Sequence, residues 1–183
     1  MKSTILLKKS LPIIIIVGIT FSAIIMAINL FAHGSYIKPG SQIIGQTSKK
    51  MSYHTNIFKE TEANENFRRV LFTGPNSQLV VMSIPPGGEV GEETHKYTEQ
   101  TLFFLSGTGE GALDDVSFPI IPGDVVVVTP GTKHNFKNTG IEDLKIYTVY
   151  APPNHIDGRI HKTKADADAD TADEAVGETA PLK

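Results

Sequence analysis

Two short stretches of this chain bring together side chains that can move protons or hold ions. In Gly87–Gly107, Glu93 and His95 stand two residues apart, so on an extended strand both project from the same face. Gln100 follows a turn-like stretch, Lys96–Glu99, and opens the apolar run TLFFL, which puts it on the neighbouring strand. In Gly123–Asn138, His134 comes just after a Pro130-Gly131 turn, at the start of another strand. Imidazole and carboxylate are the groups that titrate near neutrality or bind cations. If the intervening sheet curls into a small barrel, all four side chains can meet inside it. Each also has a plainer reading. A strand histidine beside a Gly-Pro turn can be a hydrogen-bonded side chain, Gln100 can bond a neighbouring strand, and Glu93, next to Glu92, can be a rim carboxylate.

The elements that must position them read as strands. Phe67–Thr73, Gln78–Ile84, Thr101–Leu105, Glu110–Leu113, Val116–Ile120, Asp124–Thr129, His134–Asn138 and Leu144–Tyr150 are short and rich in β-branched and aromatic residues. Between them lie turn formers such as Gly74-Pro75-Asn76, Pro85-Pro86-Gly87-Gly88, Pro122-Gly123 and Thr139-Gly140. Breakers spaced roughly 8–12 residues apart predict an all-β sandwich or barrel. No interval between them is long enough for a substantial helix. Val125–Val128 is apolar throughout, which predicts burial on both faces. Leu144–Tyr150 alternates and predicts one face toward solvent or a partner. Of Phe103 and Phe104, alternation puts one inside.

The spacings resemble those of the cupin superfamily. Its first motif is G-x5-H-x-H-x3–4-E-x6-G, and here Gly87, Glu93, His95, Gln100 and Gly107 fall at those intervals. Its second motif is G-x5-P-x-G-x2-H-x3-N, matched in spacing by Gly123, Thr129, Gly131, His134 and Asn138. Three identities depart: Glu93 stands for the first His, Gln100 for Glu and Thr129 for Pro. The resemblance covers about residues 54–152, and the segment from Pro152-Pro153 onward is similar to the ending of small cupins labelled sugar-phosphate-isomerase-like. It implies a double-stranded β-helix (jelly-roll) barrel that holds one divalent metal at the positions of Glu93, His95, Gln100 and His134. Two imidazoles and one carboxylate suit Fe, Mn, Ni, Zn or Co and leave sites for water or substrate. The charge of the donor set stays at that of a single carboxylate, while an amide oxygen at position 100 donates more weakly. Tyr97 and Glu99, on the loop between the ligand strands, are candidates for touching a small ligand at the mouth. His155 and His161 read as exposed loop histidines, and Asn138 as a turn anchor. The resemblance also implies a homodimer. The alternative is a metal-free, non-enzymatic module for a small ligand.

Composition narrows the function further. The chain has 183 residues and no cysteine, which excludes disulfides, thiolate catalysis and cysteine-ligated metals. With 17 Lys+Arg against 20 Asp+Glu its net charge is −3, so nothing in it announces nucleic acid. Phosphate loops, G-x-S-x-G elbows and H-E-x-x-H helices are absent from the sequence. Residues 13–32 carry no charge, and Lys2, Lys8 and Lys9 precede them. Such a run spans about 30 Å as a helix, enough to cross a bilayer. The expected organisation is a basic cytoplasmic flank over 1–10, a transmembrane signal anchor or signal peptide over 11–32, and a linker over 33–52. A barrel with its C-terminal extension over 53–162 follows, then a disordered Ala/Asp-rich tail over 163–183. The length of the apolar run favours an uncleaved anchor over a cleaved signal, and in both cases the folded part lies outside the cytoplasm.

Overall fold

The computed structural model describes residues 42–44 and 51–179. The sequence expectation of a membrane-crossing segment over 11–32, and most of the linker, fall outside the described residues. Among the described residues no helix is long and apolar enough to cross a membrane. The strands, in chain order, are β1 (Gln42–Ile44), β2 (Met51–Tyr53), β3 (Arg68–Thr73), β4 (Gln78–Ile84), β5 (Glu93–Thr94) and β6 (Glu99–Ser106). Then come β7 (Gly109–Leu113), β8 (Val116–Ile120), β9 (Val125–Val128), β10 (Lys133–Asn138), β11 (Leu144–Ala151) and β12 (Ile160–His161). Three short helices, α1 (Ile57–Glu62), α2 (Lys164–Asp168) and α3 (Thr171–Gly177), complete the described part.

Two antiparallel sheets face each other. One runs β12-β3-β4-β11-β6-β9 and the other β5-β10-β7-β8. The chain crosses from one sheet to the other between β4 and β5, β5 and β6, β6 and β7, β8 and β9, β9 and β10, and β10 and β11, while β3-β4 and β7-β8 are hairpins within a sheet, as in a jelly roll. The eight strands expected from the sequence are all present, two with the expected ends and the others shifted by at most two residues. Their inward faces form the core: Val80, Met82 and Ile84 from β4, Leu102 and Phe104 from β6, Leu144 and Ile146 from β11, and Phe136 from β10. Along β6 the inward row is Phe104, Leu102, Gln100, and along β11 it is Leu144, Ile146, Thr148, Tyr150. One end of the barrel is therefore filled with hydrocarbon and the other with polar groups. Phe104 is inside and Phe103 outside, stacked on Tyr147 at 4.7 Å between ring centroids.

Three expectations change. Val125–Val128 is not buried on both faces: Val126 and Val128 point inward, while Val125 and Val127 are 54% and 51% exposed. The reason is position, because β9 is the last strand of its sheet and no described element covers that outer face. The tail is not disordered over 164–177, where two helices form. Each begins with a side chain that caps its amide groups, Thr163 in a reciprocal box with Asp166 and Asp170 bonding Asp173 N–H at 3.1 Å. The aspartates of the low-complexity run are thus capping groups and ion-pair partners. His155 and His161 are likewise buried, not exposed. His161 Nε2–H donates to Asp170 Oδ2 at 3.0 Å, which also takes an ion pair from Arg159 Nε at 3.0 Å. Helix α1, unexpected from the sequence, starts at an Asn56 cap and lies on the outer face of the larger sheet, where Phe58 meets Tyr147 edge-on at 6.2 Å.

Candidate metal centre at the polar end of the barrel

Strand register brings the two motif stretches together. β10 pairs with β5 so that His134 lies opposite Glu93, and β6 pairs with β11 so that Gln100 lies opposite Tyr150. The β9–β10 turn closes the remaining gap: Gly131 N–H donates to His95 O at 2.8 Å. Gly131 holds φ +86, a backbone geometry that side chains with a Cβ rarely adopt. Asn138, fully buried, donates to Ile84 O and Glu142 O and accepts from Gly140 N–H, securing the turn after β10 as the sequence predicts.

At the centre, His95 Nε2 lies 3.5 Å and His134 Nε2 3.9 Å from Glu93 Oε2. The ligand atoms of these three residues are all within 4.8 Å of one another. The imidazole rings of His95 and His134 are 5.0 Å apart between centroids. His134 Nδ1–H donates to Thr132 O at 3.0 Å, so its Nε2 carries a lone pair directed at the cluster. Gln100 Nε2–H donates to the Tyr150 hydroxyl at 2.9 Å, which turns its Oε1 the other way. Four buried atoms, Glu93 Oε2, His95 Nε2, Gln100 Oε1 and His134 Nε2, have no hydrogen-bond partner. Leaving even one buried acceptor unsatisfied costs about 1–3 kcal/mol. Three of the four atoms, from Glu93, His95 and His134, belong to one cluster whose donor set fits a divalent metal.

Electrostatics agree. Burial, and then the neighbouring His134, lower the His95 pKa from 6.5 to about 4. His95 is therefore neutral at physiological pH, the form in which imidazole is a ligand. Burial raises the Tyr150 hydroxyl above its ordinary value, so it stays protonated as a neutral hydrogen-bonding group.

Tyr97 and Glu99 do not join the site. Strand alternation turns Gln100 inward and Glu99 outward to solvent, and Tyr97 packs under Lys96, whose ammonium is 5.1 Å from the ring. Neither lines the cavity of about 390 Å³ above the cluster, whose walls include Glu93 and His95 from the barrel, Arg68 from β3, and α2 and α3. Sequence reasoning missed Arg68, Tyr150, His155 and Asp173. Arg68 Nη1 donates to His155 Nε2 at 3.1 Å, and His155 Nδ1–H donates to Asp173 Oδ2 at 2.8 Å. The Tyr150 ring meets His155 edge-on at 4.9 Å. No motif marks these residues, since they come from β3, β11, the following loop and α3. The one available signal was the run of histidines and aspartates after the barrel, read as a loop and a tail.

Comparison with known proteins supports the same assignment. Residues 80–150 match the family model of the cupin domain. The uncharacterized protein YrkC of Bacillus subtilis is 40% identical over 118 residues, which make up 61% of this chain and 63% of that protein. The match thus spans less than two thirds of YrkC. The uncharacterized protein L612 of Acanthamoeba polyphaga mimivirus is 33% identical over 118 residues, 62% of this chain and 74% of that one. The crystal structure of BH2720 from Bacillus halodurans superposes with a TM-score of 0.64 at 34% identity, over 69% of this chain and 99% of that one. With the two motif spacings, the alternating two-sheet barrel and the His/Glu cluster at its polar end, these matches show that the chain belongs to the cupin family.

Proposed function

We propose that this cupin binds one divalent first-row metal through Glu93, His95, Gln100 and His134 and holds a small polar molecule in the cavity above it. The observation that carries the reading is the convergence of buried, unpartnered donor atoms of Glu93, His95 and His134 within 4.8 Å of one another, with the unpartnered Gln100 amide oxygen on the neighbouring strand. Iron, manganese, nickel, zinc and cobalt all accept this mixture of nitrogen and oxygen donors. Such an ion would polarise a carbonyl or hydroxyl as a Lewis acid, or bind dioxygen if it is iron, which corresponds to an isomerase or an oxygenase. The chain's own groups do the rest. Glu93 accepts a proton or carries the negative charge of the site, Tyr150 stays neutral and fixes the Gln100 amide, and α2 and α3 form one wall of the cavity.

The setting we propose is a membrane anchor over residues 11–32 with the barrel outside the cytoplasm, supported by the uncharged run and its basic flank. A homodimer through the outer face of the larger sheet is supported by the exposed Val125 and Val127 beside Phe103 and Tyr147.

Elemental analysis of the purified full chain, beside a Glu93→Ala/His134→Ala double variant, tests the metal. Near-stoichiometric transition metal in the parent and none in the variant is the expected result. An empty parent after incubation with Fe(II), Mn(II), Ni(II) and Zn(II) would sink the reading and leave the metal-free ligand-binding module.

A further inference from the structure

We infer that Arg68 is the anion-recognising group of this site, and that the molecule it selects is a small hydroxy- or oxo-carboxylate. Its carboxylate would pair with the guanidinium while its other oxygen faces the Glu93–His95–His134 cluster. The inference names the ligand class of the metal site described above and rests on that reading.

Arg68 is unusual in its position and in its pairing. It sits on the inward face of β3, alternating with Arg69, whose side chain points out to Glu60 at 2.6 Å. Only 8% of Arg68 is exposed, yet no carboxylate lies within ion-pair distance of it among the described residues. Arginine is almost never buried without such a partner, because removing its charge from water is expensive. Finally, its Nε–H is buried with no acceptor. The contacts it does make are neutral: His155 Nε2, the Tyr150 side chain, and the Phe67 ring at 5.9 Å.

The surroundings explain how the charge is tolerated and what it is for. Asp173 compensates at second hand, since its carboxylate accepts from His155 Nδ1–H and from Ile156 N–H at 2.7 Å. Because His155 Nε2 accepts from Arg68, the ring proton must be on Nδ1, and the chain Arg68–His155–Asp173 fixes the guanidinium in place. Its Nε–H is left without an acceptor. Arg68 lines the same cavity as Glu93 and His95. The other cation on that wall, Lys164, is taken by both oxygens of Asp168 at 2.7 and 2.8 Å. A fixed guanidinium with an unpartnered donor matches a carboxylate. Glu174 and Glu178, also on the cavity wall, disfavour a polyanion such as a phosphate ester, and a volume of about 390 Å³ suits a small molecule.

Calorimetric titration of the full chain, metal-loaded and chelator-stripped, with glycolate, L-lactate, pyruvate and 3-hydroxybutyrate tests this. Lactamide and 3-hydroxybutyramide serve as uncharged counterparts. The expected result is that at least one acid binds roughly 10- to 100-fold tighter than its amide, a hydrogen-bonded charge pair's share. Arg68→Gln removes most of that preference, with metal content unchanged, and Arg68→Lys retains part of it. In stripped protein the preference persists in weaker form and still depends on Arg68, which separates the arginine from the metal's own attraction for carboxylates. Binding of none of the acids, or a preference untouched by Arg68→Gln, overturns the inference. A wild-type chain that takes up no metal defeats the metal reading instead, and the stripped-protein titration then judges Arg68 alone.

Discussion

Replacing Asp173 by Ala tests whether the C-terminal helices are tied to the barrel by one buried carboxylate. Asp173 accepts from His155 Nδ1–H at 2.8 Å and from Ile156 N–H at 2.7 Å, and both it and His155 are buried. Burial raises its pKa, but those hydrogen bonds and the charge of Arg68 outweigh it and bring the group from 3.8 down to about 2. At 1.36 kcal/mol per unit, that difference stabilises the fold by about 2 kcal/mol near neutrality. Truncation also leaves two donors unsatisfied, so a total of roughly 3 kcal/mol is expected. For a folded region of this size that lowers Tm by roughly 10 °C. Hydrogen exchange should show the amides of 164–177 losing protection first, because the helices are too short to persist undocked. The sign with pH follows from the depressed pKa. Asp173 contributes fully above about pH 4 and its contribution disappears as pH falls through 2, so the wild-type and variant melting curves should converge in acid. A Tm within about 1 °C of wild type at pH 7, with 164–177 still protected, would refute the reasoning.

Further outcomes follow from the same geometry. Gln100→Glu should tighten metal binding, since a carboxylate is a stronger donor than the unpartnered amide oxygen it replaces, and metal-competition titration reads it. Phe136→Ala removes a fully buried ring from the middle of the barrel and should cost about 3–5 kcal/mol by denaturant unfolding. Gly131→Ala should strain a backbone at φ +86 and loosen the turn that holds His95 O, by about 1–2 kcal/mol, measured by chemical denaturation together with a fall in metal affinity. Because burial holds His155 below its ordinary 6.5, protonating it opposes the fold, so wild-type stability should begin to decline as pH falls below about 6.5.

Much of the barrel and the clustering of Glu93, His95 and His134 was legible in the order of residues. Turn formers at short intervals delimit the strands because Gly and Pro act locally, and alternation assigns Gln100, Phe104 and Ile146 to the inside because a strand repeats every two residues. Glu93, His95 and His134 were visible because spacing places them on strand ends, and β5 and β10 pair with His134 opposite Glu93. What local pattern cannot say is which face ends up covered. Four valines in a row read as doubly buried, yet β9 is an edge strand, and that depends on strand order across the whole sheet. The Ala/Asp tail lacks large apolar groups and by composition has nothing to bury. Its helices form because His155, His161 and Arg159 wait at fixed positions to pair with Asp173 and Asp170, an arrangement that exists only once the barrel has closed. Arg68 is the clearest case. Beside Arg69 in sequence it is one of two similar cations, and only the tertiary structure pairs one with Glu60 at a half-buried position and seals the other, without a direct counter-charge, in the wall of the cavity.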